Sequence, residues 1–320
     1  MRDGLSDPDR RALATWLSQC GFEPREKQAL AGDVSARMYE RWTTTDGGTA
    51  ILALYPEEVR PVCARFARTT ALLAGAGVPV PRILAMECAR GWMLLEDLGV
   101  VTLADRREAP WSDLAASFAD AAEIAGRIAR LPADLVADLN PPLDQALMTR
   151  ELAQTREVFL IPHGLANEAL DAALAALCSQ LAGDPAVPCH RDFMARNLMP
   201  LPPLSAGRVA VLDHQDVRLG PPAYDLASLL NDTLFPPSEL EERLVAAALP
   251  GPANRLRYHR AAAQRTLKAV GTYAAFARRG SDRHLPLIAP TLRRFVHHFG
   301  KTPEGRGLPD QRLGSWLSVP

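Results

Sequence analysis

Apolar and polar positions divide the chain into a short strand-bearing stretch followed by a long helical one. Ala12, Leu13, Trp16 and Leu17 recur at helical spacing over residues 10–17, and Phe22-Glu23-Pro24 ends that pattern. Residues 35–44 and 49–55 read as strands joined across Thr45-Asp46-Gly47-Gly48, because an Asp-Gly-Gly turn tolerates positive φ. A helix is expected over 59–76, with Val62, Phe66, Thr69, Leu72 and Leu73 on one face. Gly77 stops it, and Pro79 and Pro81 lead into Ile83-Leu84. After the Arg90-Gly91 turn, the apolar run Trp92-Met93-Leu94-Leu95 passes into Glu96-Asp97-Leu98-Gly99, the form expected of a link between two lobes.

Beyond that link the spacing is helical over 113–131, 143–159, 167–181, 224–232, 238–248, 253–278 and 289–299. Ser238 and Glu241 stand at the spacing of a capping box. Proline pairs at 141–142, 202–203, 221–222 and 236–237 punctuate the helices, and no internal repeat or low-complexity tract interrupts them. The pattern therefore predicts an α+β chain: a small lobe over residues 1–97 with an antiparallel sheet, and a larger, mostly helical lobe over 98–320.

Composition narrows the choice of partners. The chain has 320 residues, 48% of them apolar, enough for a sizeable core. A net charge of −1 gives no electrostatic footprint for nucleic acid, and 6% aromatic residues offer few stacking platforms for bases. Cys20, Cys63, Cys88, Cys178 and Cys189 are scattered, odd in number and without a CxxC pair, which argues against a disulfide framework or a zinc site. Residues 1–7 do not form a secretory signal, and no apolar run approaches membrane-spanning length. A soluble, cytoplasmic, monomeric protein is expected, with neither nucleic acid nor membrane as partner.

The chemistry concentrates in Cys189-His190-Arg191-Asp192-Phe193-Met194-Ala195-Arg196-Asn197 and in Val211-Leu212-Asp213-His214-Gln215-Asp216. Asn197 follows Asp192 with four residues between, the spacing of a phosphoryl-transfer catalytic loop. Phosphoryl transfer needs a carboxylate to orient a hydroxyl and oxygen ligands for Mg²⁺, since positioning and electrostatics supply most of the rate. Asp192 fits the first role, and Asn197 and Asp213 fit the second. The apolar runs around 197–199 and 208–212 flank Pro202-Pro203-Leu204-Ser205-Ala206-Gly207 and read as a hairpin that brings the two ligands to one end. His163, His259, His284, His297 and His298 lack metal-ligand spacing and read as structural, as does His214, while His190 is expected to fix the loop backbone.

Taken together, Leu94-Leu95-Glu96-Asp97-Leu98-Gly99, His190-x-Asp192-x4-Asn197, Leu212-Asp213-His214-Gln215-Asp216 and Gly220-Pro221-Pro222-Ala223-Tyr224-Asp225-Leu226-Ala227 resemble the aminoglycoside phosphotransferase (choline kinase-like) family, over about residues 25–300. Within it, Gly32-Asp33-x-Ser35-x-Arg37-x-Tyr39, the Asp-His-Gln-Asp motif and Gln264-Arg265-x2-Lys268-x2-Gly271 are similar to bacterial kinases acting at C1 of N-acetylmuramate and N-acetylglucosamine. The resemblance implies a bilobal protein kinase-like fold, ATP and Mg²⁺ as cofactors, and a small-molecule sugar as acceptor in peptidoglycan recycling. It places Asp192 as catalytic base, Asn197 and Asp213 on the metal, Gly32 and Ser35 over the ATP phosphates, the backbone of Glu96 to Leu98 at adenine, and Asp225 as a brace for the catalytic loop.

One departure from kinase pattern stands out. Kinases set a lysine on the third strand, paired to a glutamate on the next helix, at the α- and β-phosphates. Here the only lysines are Lys27, Lys268 and Lys301, and no Glu or Asp lies between Val59 and Met86. Two readings follow: another cation takes over, Arg37 first and Arg60 second, or the chain is a pseudokinase that binds nucleotide without turnover. For the acceptor, the candidates are Arg150, Glu151, Asp216, Arg218, Gln264, Arg265 and Lys268 beside Asp192, where Gln264 and Lys268 share a helix face able to meet a carboxylate. A kinase for another small alcohol or for an aminoglycoside remains open, although Arg150, Arg265 and Lys268 do not favour a polycation.

Overall fold

A computed structural model describes residues 7–30, 36–44 and 47–306. The chain divides into two compact units, Met1–Ala74 with Val80–Gly99, and Gly75–Pro79 with Val100–Pro320.

The first unit is built on one sheet. Its strands are β1 (Pro24–Leu30), β2 (Met38–Thr44), β3 (Thr49–Leu54), β4 (Ile83–Glu87) and β5 (Trp92–Glu96), in the order β1-β2-β3-β5-β4 with each neighbouring pair antiparallel. Helix α1 (Asp7–Gln19) sets Leu13 and Leu17 against Ala50, Leu52, Leu54, Trp92 and Leu94 on one face. On the other face, α2 (Pro61–Gly75) sets Cys63 and Phe66 against Ala53, Tyr55, Met93 and Leu95. Covered on both sides, β3 needs apolar residues at nearly every position, which is why 50–55 reads as a continuous run rather than an alternation. Gly91 takes φ 73°, and a Cβ there would lie 2.1 Å from the Tyr55 carbonyl oxygen, so the β4–β5 turn closes onto the end of β3 only with glycine.

One expectation needs correction in this unit, one strand is added, and one turn lies partly outside the described residues. β1 was not predicted, because it is a sheet edge whose residues 25–29 are exposed on both faces and so carry no alternation. The proposed hairpin does join β2 to β3, but Thr45 and Asp46 lie outside the described residues. Cys63 and Cys88 are joined in a disulfide with Cα atoms 5.6 Å apart. Packing of α2 over the sheet brings together two cysteines that are 25 residues apart, a pairing their spacing did not announce.

The second unit is helical: α3 (Trp111–Ala129), α4 (Ala133–Ala137), α5 (Gln145–Thr155), α6 (Glu168–Ala182), α7 (Tyr224–Leu230), α8 (Ser238–Ala248), α9 (Pro252–Arg278), α10 (Leu285–Phe299) and α11 (Pro303–Arg306). Between them run two short antiparallel pairs, β6 (Val187–Cys189) with β9 (Arg218–Gly220) and β7 (Leu198–Pro200) with β8 (Val209–Val211). Among the described residues no helix is long and apolar enough to cross a membrane. The alanine-rich α9 is buried along most of its middle, from Ala261 to Ala275, because small side chains let neighbours approach its backbone. At Gly271 a Cβ would lie 2.1 Å from Thr155 Oγ1, and Thr155 donates its hydroxyl to the Leu267 carbonyl at 3.2 Å. The continuous helix expected over 143–159 instead widens after Thr155 into a π-helical turn, Arg156–Leu160. The capping box does not form: Pro237 is the N-cap of α8, and Glu241 turns inward to accept the Tyr258 hydroxyl at 2.7 Å.

Candidate active site

The catalytic loop hangs between β6 and β7 and is braced from below by α7. Asp225, buried in the first turn of α7, accepts the backbone N–H of His190 at 2.6 Å and that of Arg191 at 2.9 Å. Arg191 takes φ 76°, a left-handed backbone that a side chain rarely adopts, and the Asp225 carboxylate holds it there. The fully buried His190 ring reaches the Leu212 carbonyl through Nε2 at 3.0 Å, tying the loop to the segment that carries Asp213. Asn197 donates its amide N–H to the Asp192 carbonyl at 2.8 Å, which leaves its side-chain oxygen for another partner. The Leu212 N–H donates to the Asn197 carbonyl at 2.8 Å, so the β7–β8 hairpin brings Asn197 and Asp213 to the same end, as expected. Asp213 itself is left-handed, φ 57°, and accepts the Gln215 amide at 3.0 Å.

Around Asp192 the charges form a connected net. An Arg265 guanidinium nitrogen lies 3.6 Å from Asp192 Oδ1, and Arg265 also donates to Ser228 Oγ at 3.1 Å. Glu151, only 10% exposed, accepts Arg191 at 3.1 Å and the Gln264 amide at 3.2 Å and lies 3.5 Å from the Lys268 amine. Asp216 is 3.6 Å from Arg191 and 3.5 Å from Arg218. Burial alone would raise the Asp192 carboxyl, but Lys268, Arg265, Arg191 and His190 outweigh it and hold the group well below the usual carboxylate range. Burial likewise opposes ionisation of Glu151, and Lys268, Arg191 and Gln264 reverse the balance. Lys268 is shifted down, by burial first and the Arg265 charge second. Asp192 thus rests ionised in a net where carboxylates and cations alternate.

Of the residues singled out from sequence, Glu151, Asp192, Asp216, Gln264, Arg265 and Lys268 are brought into this net, and Asn197 and Asp213 border it. Arg150 is exposed and takes part in none of these partnerships. Gly32 and Ser35 lie outside the described residues. Arg37, Glu96 and Leu98 belong to the first unit. Arg37 is half-buried with its guanidinium carbon 5.7 Å from the centre of the Tyr39 ring, and Arg60 has its Nε buried with no hydrogen-bond partner. The Glu96 carboxylate accepts the Arg82 N–H at 3.1 Å.

One participant in this net was missed from sequence, and one ion pair within the first unit. Arg191 joins Glu151 to Asp216, and its place between His190 and Asp192 was the available signal. Arg41 grips Asp97 across 56 residues, for which no local signal exists.

Among the described residues no group of three or more His, Cys, Asp or Glu side chains could hold a metal. An amide oxygen and a carboxylate nevertheless suit a hard ion that keeps its waters and takes few protein ligands.

The model of the phosphotransferase enzyme family matches residues 27–264. An N-acetylmuramate/N-acetylglucosamine kinase of Pseudomonas putida is 33% identical over 296 residues, covering 86% of this chain and 84% of that protein. The protein of the same name in Pseudomonas aeruginosa is 33% identical over 337 residues, covering 94% and 95%. A choline kinase structure from Streptococcus pneumoniae superposes with a TM-score of 0.61 at 16% identity, covering 97% of this chain and all of that one.

Proposed function

This chain belongs to the phosphotransferase enzyme family, and on that premise we propose that it is an ATP- and Mg²⁺-dependent kinase for the anomeric hydroxyl of N-acetylmuramate and N-acetylglucosamine, serving peptidoglycan recycling. The names of its relatives in two Pseudomonas species support the acceptor. The observation that carries the reading is the placement of Arg265 3.6 Å from Asp192, in a net where Arg191 and Lys268 meet Glu151 close by. Such a net offers paired donors and acceptors to the hydroxyls of a sugar, and its arginines and lysine could meet a carboxylate such as the lactyl group of N-acetylmuramate.

The net also fits the chemistry of the hydroxyl. A carboxylate held this far below its usual range is a weak base, and its strength lies in orienting an O–H and accepting the proton late. A hemiacetal hydroxyl is more acidic than an ordinary alcohol and needs no stronger base. In the transfer, the C1 oxygen forms a bond to the γ-phosphorus, the bond from that phosphorus to the ADP oxygen breaks, and the hydroxyl proton passes to Asp192. Asn197 and Asp213 would hold the metal, which would neutralise phosphate charge when bound. Arg37 supplies the cation that the absent strand lysine would have provided, with Arg60 second. Gly32, Ser35 and the backbone of Glu96 to Leu98 hold the nucleotide. The enzyme works as a monomer in the cytoplasm, where Cys63 and Cys88 would stand as neighbouring thiols.

The test is ADP release from ATP and Mg²⁺ with a panel of N-acetylmuramate, N-acetylglucosamine, aminoglycosides, choline and homoserine. Asp192→Ala should abolish transfer while ATP still binds. Turnover with an aminoglycoside but not an amino sugar would overturn the acceptor. One observation favours a second reading: β3, Thr49-Ala50-Ile51-Leu52-Ala53-Leu54, offers no lysine, so a pseudokinase would bind ATP and release ADP with none of the panel.

A further inference from the structure

The sheet register places Arg41 of β2 opposite Ile51 of β3, and Ile51 opposite Leu95 of β5. Neighbouring strands stand about 4.8 Å apart, so β2 and β5 are roughly 10 Å apart. Alternation puts Asp97, two residues past Leu95, on the same face as that row. Arg41 therefore has the length to cross over Ile51, and it does. Its Nε donates to Asp97 Oδ2 at 2.6 Å and its terminal nitrogen to Asp97 Oδ1 at 3.0 Å, a bidentate pair with side chains 14% and 5% exposed.

The same terminal nitrogen donates to the Gly99 carbonyl, while the Gly99 N–H donates back to Asp97 Oδ1 at 3.0 Å. Burial would raise the Asp97 carboxyl, but hydrogen bonds from Arg41, Gly99 and Thr49 bring it below its ordinary value. Residues 97 to 99 are thus cross-braced at both ends of the turn. Leu98, between the two braced residues, takes part in no backbone hydrogen bond with another described residue, so its main-chain groups are held in place and left for a ligand.

We propose that Arg41 and Asp97 are positioning residues that fix the linker backbone after β5 and thereby set how well the adenine base is held. The inference rests on the nucleotide reading above. Neither side chain needs to touch the base: the pair acts through the main chain of 97 to 99. Breaking one half of a buried ion pair strands the other charge, whereas replacing both with apolar groups removes the penalty.

The experiment compares the wild type, the double variant Arg41→Met/Asp97→Leu and the single variant Arg41→Lys. Measured are KM for ATP, KM for the sugar, kcat, the melting temperature, and calorimetric binding of adenosine and of inorganic tripolyphosphate. The double variant should melt near the wild type, raise KM for ATP and weaken adenosine at least tenfold, and leave tripolyphosphate and the sugar within about twofold. Arg41→Lys keeps the charge but loses the fork, so it should fall between the two and still report if the double variant does not fold. Wild-type adenosine affinity in whichever of these variants folds, or an equal loss for adenosine and tripolyphosphate, overturns the positioning role. Absence of ATP binding in the wild type sinks the nucleotide reading instead.

Discussion

Asp225 holds the backbone N–H of Arg191 at 2.9 Å while Arg191 sits at φ 76°, so the residue before the catalytic carboxylate is kept in a left-handed conformation by a side chain 34 residues away. The second oxygen of the same carboxylate takes the His190 N–H. An amide offers one acceptor where the carboxylate offers two, so Asp225→Asn should release one of these N–H groups and let Asp192 drift. We expect kcat to fall about 100-fold, the cost of a roughly 1 Å misplacement, with KM for ATP within twofold. Steady-state kinetics and circular dichroism on the purified variant check this, and an unchanged kcat would remove Asp225 from the loop's support.

Glu151 anchors three donors from two elements. Glu151→Ala strands the positive charges of Arg191 and Lys268 in a largely buried net and should cost about 3 kcal/mol in urea unfolding. Glu151→Gln keeps the shape and one acceptor, and should cost less than half as much.

Asp213→Asn removes the only charge among the two proposed metal ligands. The Mg²⁺ concentration for half-maximal rate should rise at least tenfold, and excess Mg²⁺ should restore part of the loss. A titration with unchanged midpoint would move the metal elsewhere.

The histidines between α9 and α10 predict acid sensitivity. His259 Nδ1 faces His298 Nδ1 at 2.9 Å, and His298 Nε2 lies 2.8 Å from Asn231 Oδ1. Two nitrogens that close cannot both carry a proton. Burial, then neighbouring cations, lowers His259 to about 4 and pushes His298 well below its ordinary value. Between pH 4 and 6.5 the unfolded chain therefore binds protons that the folded chain refuses, so stability rises with pH across that window and is lost as pH falls through it. Melting temperatures from pH 7.5 to 4.5 should fall from about pH 6.5 downward, and His259→Gln should flatten the slope.

Gly271→Ala tests the approach of α5 to α9. Its Cβ would meet Thr155 Oγ1 at 2.1 Å and the Thr155 Cα at 2.7 Å. With backbone as well as side chain in the way, the cost should be about 1–3 kcal/mol, read as a lower urea midpoint with unchanged slope.

What the sequence disclosed follows the range of the forces involved. The His190 to Asp213 segment was legible because the spacing Asp192-x4-Asn197 and a hairpin with apolar arms are local, and the structure pairs Leu198 with Val211 accordingly. Helix cores were legible where one face is buried, as in α2 and α3. Charge partnerships were not. Glu151 meets Gln264 across 113 residues and Arg41 meets Asp97 across 56, so nothing near either residue announces the other. The same holds for Glu241: it had the spacing of a capping residue, yet Tyr258 and Arg294, both distant, claimed it.

The exposed strand β1 bears on how the protein behaves in a crowded solution. An open sheet has two edges, and an uncovered edge can recruit a strand from another molecule. Arg25, Glu26, Lys27 and Gln28 set charged or amide side chains at consecutive exposed positions along this edge. Another chain pairing there would have to strip water from both signs of charge. The opposite edge, β4, lacks such a run: its Leu84 and Met86 face solvent at 46% and 53% exposure. Aggregation of this protein should therefore begin at β4, and a lysine at Leu84 would be the first substitution to try for higher solubility.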